Sequence, residues 1–329
     1  MAIKKKAGHG KNFVTMEINE LDMNEISIAF AILIFPGGLS PLIGGLIFEW
    51  LDRKLVARYQ NRKGPRWYQP LADTFKLFSK EEITPENVNA LLFNLLPVLG
   101  LAAALATCLH IPAFGLKPLS SFHGDMVVVL YMLSMMTLCL GVAGANTQDH
   151  FSLIGATRTL TQLFSYEAPF MLALLGPAIA AQSWQISTIN DYASSHPWFL
   201  LTQPIGFMVA LIGLMGKLEL PPFDAPEAET EIVSGALTEY SGRGLGLFHL
   251  GQDVEFFVGI TLIVTFYLGG LSNPIEFILK SLGVMVVLTA LQTLFARLRI
   301  DQTVGLWWRI GALLSIFQLA LLVFFQPYL

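Results

Sequence analysis

Residues 197–270 read PWFLLTQPIGFMVALIGLMGKL (197–218), then ELPPFDAPEAETEIVSGALTEYSGRGLG (219–246), then LFHLGQDVEFFVGITLIVTFYLGG (247–270). Two apolar stretches, each long enough to cross about 30 Å of hydrocarbon at about 20 residues per crossing, flank a segment dense in carboxylates. Glu219, Asp224, Glu227, Glu229, Glu231 and Glu239 share that segment, and only Lys217 and Arg243 lie at its edges. Glu227 and Glu231 are four apart and would share one helix face, where like charges repel unless a proton or a cation intervenes. Two readings stay open: a solvated acidic loop, and a proton-accepting or charge-gated loop beside a membrane.

The rest of the chain makes the membrane setting firm. Of 329 residues, 54% are hydrophobic and 13% charged, against roughly 25% charged in soluble domains. Eight apolar stretches are legible, at 26–50, 88–112, 124–145, 158–182, 197–218, 247–270, 275–297 and 305–327. They predict an all-α integral membrane protein of about eight transmembrane helices. The organisation expected is a polar leader over 1–25 and one polytopic membrane domain over 26–329, with an acidic loop at 217–246. The first apolar run is long and ends in Phe48-Glu49-Trp50-Leu51-Asp52-Arg53-Lys54, so it reads as a retained helix rather than a cleaved signal.

Basic residues near the helix ends set the expected orientation. The first loop carries Arg53, Lys54, Arg58, Arg62, Lys63, Arg66, Lys76 and Lys80, and alternate loops add Arg158, Lys217, Arg243, Arg297 and Arg299. Those loops are expected to face the cytoplasm, with both termini outside, although Lys4, Lys5, Lys6 and Lys11 of the leader argue the other way. Within the first loop, Leu71, Phe75 and Phe78 recur at helical spacing opposite Asp73, Lys76 and Lys80, and Pro70 suits a helix start. An amphipathic helix at the membrane surface follows. The basic residues read either as topogenic charge or as a docking platform for a cytoplasmic protein.

Ionisable residues inside apolar spans are costly unless they face a wet or polar interior. Glu167, beside Pro169, reads as the deepest and as a proton relay or a buried inter-helix hydrogen bond. Glu255 and Lys280 are further candidates, with snorkelling the plainer reading for Lys280. Glu49 and Asp52 read as local ion pairs with Arg53 and Lys54, and as bordering the acidic loop if the helices bundle. Cys108 and Cys139 lack metal-ligand spacing and read as packing residues. Neither a phosphate-binding loop nor a dinucleotide fingerprint is present, so any redox cofactor is expected in a partner.

Gln60-Asn61-Arg62-Lys63-Gly64-Pro65, the run from Gln69 to Glu81, Ser165-Tyr166-Glu167, the run from Pro222 to Glu231 and Glu239-Tyr240-Ser241-Gly242 together resemble the NuoH-like (subunit 1) family of respiratory complex I and its hydrogenase relatives. The resemblance implies an eight-helix membrane protein that anchors a redox arm and joins it to ion-pumping membrane subunits. By position it implies coupling roles for Glu167, Asp224, Glu227, Glu229, Glu231 and Glu255, and arm docking by Arg53, Arg58, Arg62, Arg66, Asp73 and Lys76. The short passage from Gly64-Pro65 through Arg66-Trp67-Tyr68 to Gln69 is most similar to membrane-bound NiFe hydrogenases, formate hydrogenlyases and sulfane reductases. Ferredoxin as donor is implied, with hydrogenase-like large and small subunits, an iron–sulfur subunit and antiporter-like subunits as partners in a cytoplasmic membrane. Iron–sulfur clusters, and a NiFe centre in the hydrogenase case, would sit in those partners, with no cofactor or metal in this chain and no nucleic acid involved. A quinone-reducing complex I subunit is the alternative, and a stand-alone cation transporter a second.

Overall fold

The structure, a computed structural model, describes residues 25–196, 199–269 and 273–325; the expected polar leader lies outside them apart from Glu25. In chain order the helices are α1 (Glu25–Leu33), α2 (Leu39–Tyr59), α3 (Gln69–Ser79), α4 (Ala90–Cys108), α5 (Asp125–Asn146), α6 (His150–Ala181), α7 (Ile186–Ser195), α8 (Phe199–Thr202), α9 (Pro204–Lys217), α10 (Glu229–Ile232), α11 (Gly242–Ile263), α12 (Pro274–Leu294), α13 (Ile300–Leu306) and α14 (Ala312–Phe325). Wider turns over Val264–Leu268 and Trp307–Gly311 extend α11 and join α13 to α14. No strand occurs among the described residues. The fold is that of an all-α integral membrane protein.

Six of the eight expected spans are continuous helices long and apolar enough to cross a bilayer: Ala90–Cys108, Asp125–Asn146, His150–Ala181, Gly242–Leu268, Pro274–Leu294 and Ile300–Phe324. The first and fifth are interrupted instead. The first breaks between α1 and α2 at Pro36, which has no N–H to continue a helix, and α2 then runs on to Tyr59 through Glu49, Asp52, Arg53, Lys54 and Arg58. The fifth breaks at Gln203, after which Pro204 opens α9 at a position that tolerates the missing donor.

α11 is the most enclosed of the spans, packed against α2 and α4, with α9 and α12 beside it. Close approach to α2 is possible because Gly45 has no side chain: a Cβ there would stand 2.7 Å from the Asp253 backbone. α12 and α14 are peripheral and leave Ile275, Leu279, Leu294, Leu313 and Phe317 exposed, as a lipid-facing surface requires. The surface helix α3 lies across α2 and α11. Pro70 is buried, Leu77 and Phe78 pack against Gly246, and Leu71, Phe75 and the preceding Trp67 remain exposed along one edge. Cys108 and Cys139 are buried free thiols.

Candidate functional site

The acidic segment begins where α9 ends, and its base is pinned to α6. Gln162, fully buried, donates from Nε2 to the carbonyls of Gly216 and Phe223, both at 2.8 Å. Between those anchors the backbone turns through Glu219 at φ +51°. Leu298 N donates to the Pro222 carbonyl at 2.9 Å, and Phe223 packs on Trp307. The helix expected to carry both Glu227 and Glu231 does not form. Only one turn, Glu229–Ile232, is helical, and it ends at Val233 with φ +60°. Glu227 and Glu231 consequently part company: Glu227 turns inward, while Glu231 is exposed and pairs with Arg158 at 2.8 Å.

A cavity of about 160 Å³ opens between α2, α5, α11 and this segment. Glu49 and Asp52 reach it from α2, Glu219 and Glu227 from the loop, Asp253 and Glu255 from α11, and Lys217 from the end of α9. Its volume has room for several water molecules, and its lining supplies the polar partners they need. Six carboxylates therefore face one ammonium group across a small space, which requires protons or counter-charges to be held there.

The contacts show how part of that charge is held. Lys217 Nζ lies 2.6 Å from Glu255 Oε1, with side chains 2% and 4% exposed, and donates to the Leu133 carbonyl at 2.6 Å. Gln252 Nε2 donates to Glu227 at 3.1 Å, and Gln292 Nε2 to Asp52 at 2.9 Å. Glu49 pairs with Arg53, which stands 3.7 Å from Asp73 on α3, and also faces Asp253 closely enough to hydrogen-bond. Burial pushes the Glu219 carboxyl well above its ordinary range, and the nearby Glu227 and Glu255 charges push it further, against the opposing pulls of Thr159 and Lys217.

The other sequence-derived candidates lie around this cavity. Glu167 is half-buried rather than the deepest carboxylate, and Ser134 Oγ donates to it at 2.6 Å. Ser134 follows Leu133, whose carbonyl holds Lys217, so Glu167 meets the cavity through one turn of α5. Asp224 sits at the loop's outer edge in a two-point pair with Arg297. Glu229 lies in α10. Arg58, Arg62, Arg66 and Lys76 are exposed near α3, with Arg66 Nη1 donating to Tyr68 at 2.7 Å. Lys280 donates to the carbonyls of Leu268 and Gly269 and pairs with Glu276 at 2.5 Å.

Sequence reasoning passes over Asp253, which carries no motif; Glu49 and Asp52 read as ion pairs that border the acidic loop in a helix bundle, as they do here, and Glu219 counts only toward the local field. A usable signal exists: Glu49 and Asp52 are spaced i, i+3 on one face of α2. Among the described residues no three His, Cys, Asp or Glu side chains converge as metal ligands.

The family model described as NADH dehydrogenase matches residues 13–323. The chain belongs to that family. Among its relatives, the H subunit of NADH-quinone oxidoreductase from Carboxydothermus hydrogenoformans is 35% identical over 283 residues, covering 81% of this chain and 80% of the relative. The H subunit from Dehalococcoides mccartyi strain CBDB1 is 33% identical over 294 residues, covering 86% and 83%. A chain of the membrane-bound sulfane sulfur reductase, an archaeal respiratory membrane complex, superposes with a TM-score of 0.78 at 24% identity, covering 85% of this chain and 95% of that one. The family match and these two bacterial relatives make the chain a NuoH-like protein, and the third comparison adds agreement of fold.

Proposed function

We propose that this chain is the membrane anchor and coupling subunit of a complex I-related oxidoreductase, linking redox chemistry in a docked peripheral arm to H⁺ or Na⁺ translocation. The observation that carries this reading is the cavity lined by six carboxylates around the buried Lys217–Glu255 pair, joined through α5 to Glu167. Such a group can take up or release positive charge when a neighbouring loop or redox centre changes its field. Glu167, Glu227, Glu229 and Glu255 are the coupling residues, Glu231 and Asp224 hold the loop in place, and the exposed basic face around Arg58, Arg62 and Arg66, with Arg53, Asp73 and Lys76, receives the arm. The loops carrying these groups face the cytoplasm, as their Lys and Arg content favours.

The partners are hydrogenase-like large and small subunits, an iron–sulfur subunit and antiporter-like membrane subunits, with clusters, and a NiFe centre in the hydrogenase case, held by them and ferredoxin as donor. The short Gly64-to-Gln69 passage supports this hydrogenase or sulfane-reductase type. A quinone-reducing assembly is the second reading, favoured by the names of the curated relatives.

Purification of the native assembly, mass spectrometry of its subunits and assays with ferredoxin, sulfur compounds, protons and quinone separate the two. Within it, Glu167→Gln and Glu227→Gln are expected to leave the complex assembled and lower ion translocation per electron. Wild-type translocation in both variants would overturn the coupling role.

A further inference from the structure

Lys217 and Glu219 are two positions apart on one cavity wall, and only the lysine is paired. Its ammonium is held by Glu255 and by the Leu133 carbonyl, both at 2.6 Å. Glu219 is 8% exposed, and neither of its oxygens meets a donor at good geometry, although the Thr159 hydroxyl lies beside it. Its backbone sits at φ +51°, a conformation L-residues with a Cβ avoid. The fold thus presents an unpartnered carboxyl group to the same space as a buried ammonium on a long, flexible stem.

We propose that Lys217 is a tethered cation that exchanges between Glu255 and Glu219. In the arrangement seen, Glu255 is ionised and paired while Glu219 holds a proton. In the other, Glu219 gives its proton to the cavity water and takes the ammonium, and Glu255 takes up a proton from that water. Protons and charge balance, because each arrangement has one ammonium, one carboxylate and one carboxylic acid. No net charge is buried by the exchange, which removes the penalty that ordinarily forbids moving an ion within a protein interior.

The surroundings give the exchange a direction and an output. Glu227, held by Gln252, lies on the Glu219 side of the ammonium. Across the cavity Glu49, Asp52 and Asp253 are opposed by Arg53, with His249 also near Glu49, and Tyr166 and Glu167 approach from α6. Leaving Glu255 also frees the Leu133 carbonyl, one residue from the Ser134 hydroxyl that holds Glu167. The position of the ammonium is therefore felt at Glu167. This inference rests on the coupling role above and names the charge that moves.

The test is equilibrium infrared difference spectroscopy of the purified complex between low and high temperature at one fixed pH, without turnover, because the two arrangements hold the same number of protons and pH favours neither. The wild type should lose one protonated-carboxyl band and gain another of matching intensity, and Glu255→Gln should remove the gained band. Lys217→Met, with no ammonium to move, should show no paired change. Lys217→Arg should restore the paired change. A wild type that gains no band, or a Lys217→Met complex with the wild-type pair of bands, overturns the exchange. Should Lys217→Met fail to assemble, Glu219→Gln decides: both bands must vanish together, and a surviving gained band is fatal. Because no turnover is needed, paired bands with normal translocation in Glu167→Gln and Glu227→Gln would sink the coupling role alone, and the reverse result the exchange alone.

Discussion

Asp224 and Arg297, 73 positions apart, meet in two parallel hydrogen bonds, Nε to Oδ1 at 2.8 Å and Nη2 to Oδ2 at 2.5 Å. The pair ties the start of the acidic segment's outer half to the link between α12 and α13. A planar guanidinium makes both bonds at once and an ammonium cannot. Arg297→Lys should therefore keep the charge, lose the fork and weaken the attachment by about 1 kcal/mol after solvent screening. Limited proteolysis of the detergent-solubilised complex checks it: cleavage within 224–234 should quicken severalfold, and an unchanged rate would mean the loop is held by other contacts.

Glu219 gives a pH dependence with a definite sign. Its carboxyl binds protons more tightly in the folded protein than in the unfolded chain, because burial disfavours the charged form. Between the ordinary carboxylate range and the raised native value, the folded state holds more protons, so stability falls as pH rises. A glutamine has no such proton to lose. Glu219→Gln should match the wild type in thermal unfolding at acid pH and exceed it at alkaline pH; a gap independent of pH would contradict this origin.

Gly45 sits where α2 comes closest to α11. A methyl group there would stand 2.7 Å from the carbonyl carbon and oxygen of Asp253 and 2.9 Å from Val254 N. These are backbone atoms of a packed helix and cannot rotate aside, so Gly45→Ala should cost about 1–3 kcal/mol as overpacking and separate Glu49 from Asp253. A lowered unfolding temperature, with faster labelling of a cysteine placed at Glu49, is the expected outcome.

The exposed guanidinium groups of Arg58 and Arg62 provide a separable test of docking. Reversing both to glutamate should reduce co-purification of the peripheral subunits at low ionic strength and matter less at high salt, as screened surface charges do. Equal co-purification at every salt concentration would place the docking surface elsewhere.

Hydropathy makes the spans legible because a helix that crosses a bilayer must be apolar over most of its length. The amphipathic spacing of Leu71, Phe75 and Phe78 likewise reveals α3. What hydropathy does not show is how the interrupted spans lie: Pro36 and Pro204 mark the breaks, but the continuation of α2 to Tyr59 places Glu49 and Asp52 on a cavity wall instead of a solvated helix end. The cavity itself depends on contacts between residues far apart in sequence, Asp52 with Gln292 and Lys217 with Glu255. Glu219 becomes a buried group only because the backbone turns through positive φ there, a choice of conformation that no residue type at that position announces.

Gln162 grips the chain on both sides of the turn that bears Lys217 and Glu219. With Gly216 and Phe223 fastened to the same amide nitrogen, that turn is held to α6 at both ends. Beyond Phe223 the fastening passes to side chains at the rim, where Arg158 holds Ala225 and Glu231 and Arg297 holds Asp224. The protein thus seats its buried charges on backbone fastened to a buried amide of α6 and leaves the outer part of the loop to half-exposed charge pairs, Arg158 with Glu231 and Arg297 with Asp224.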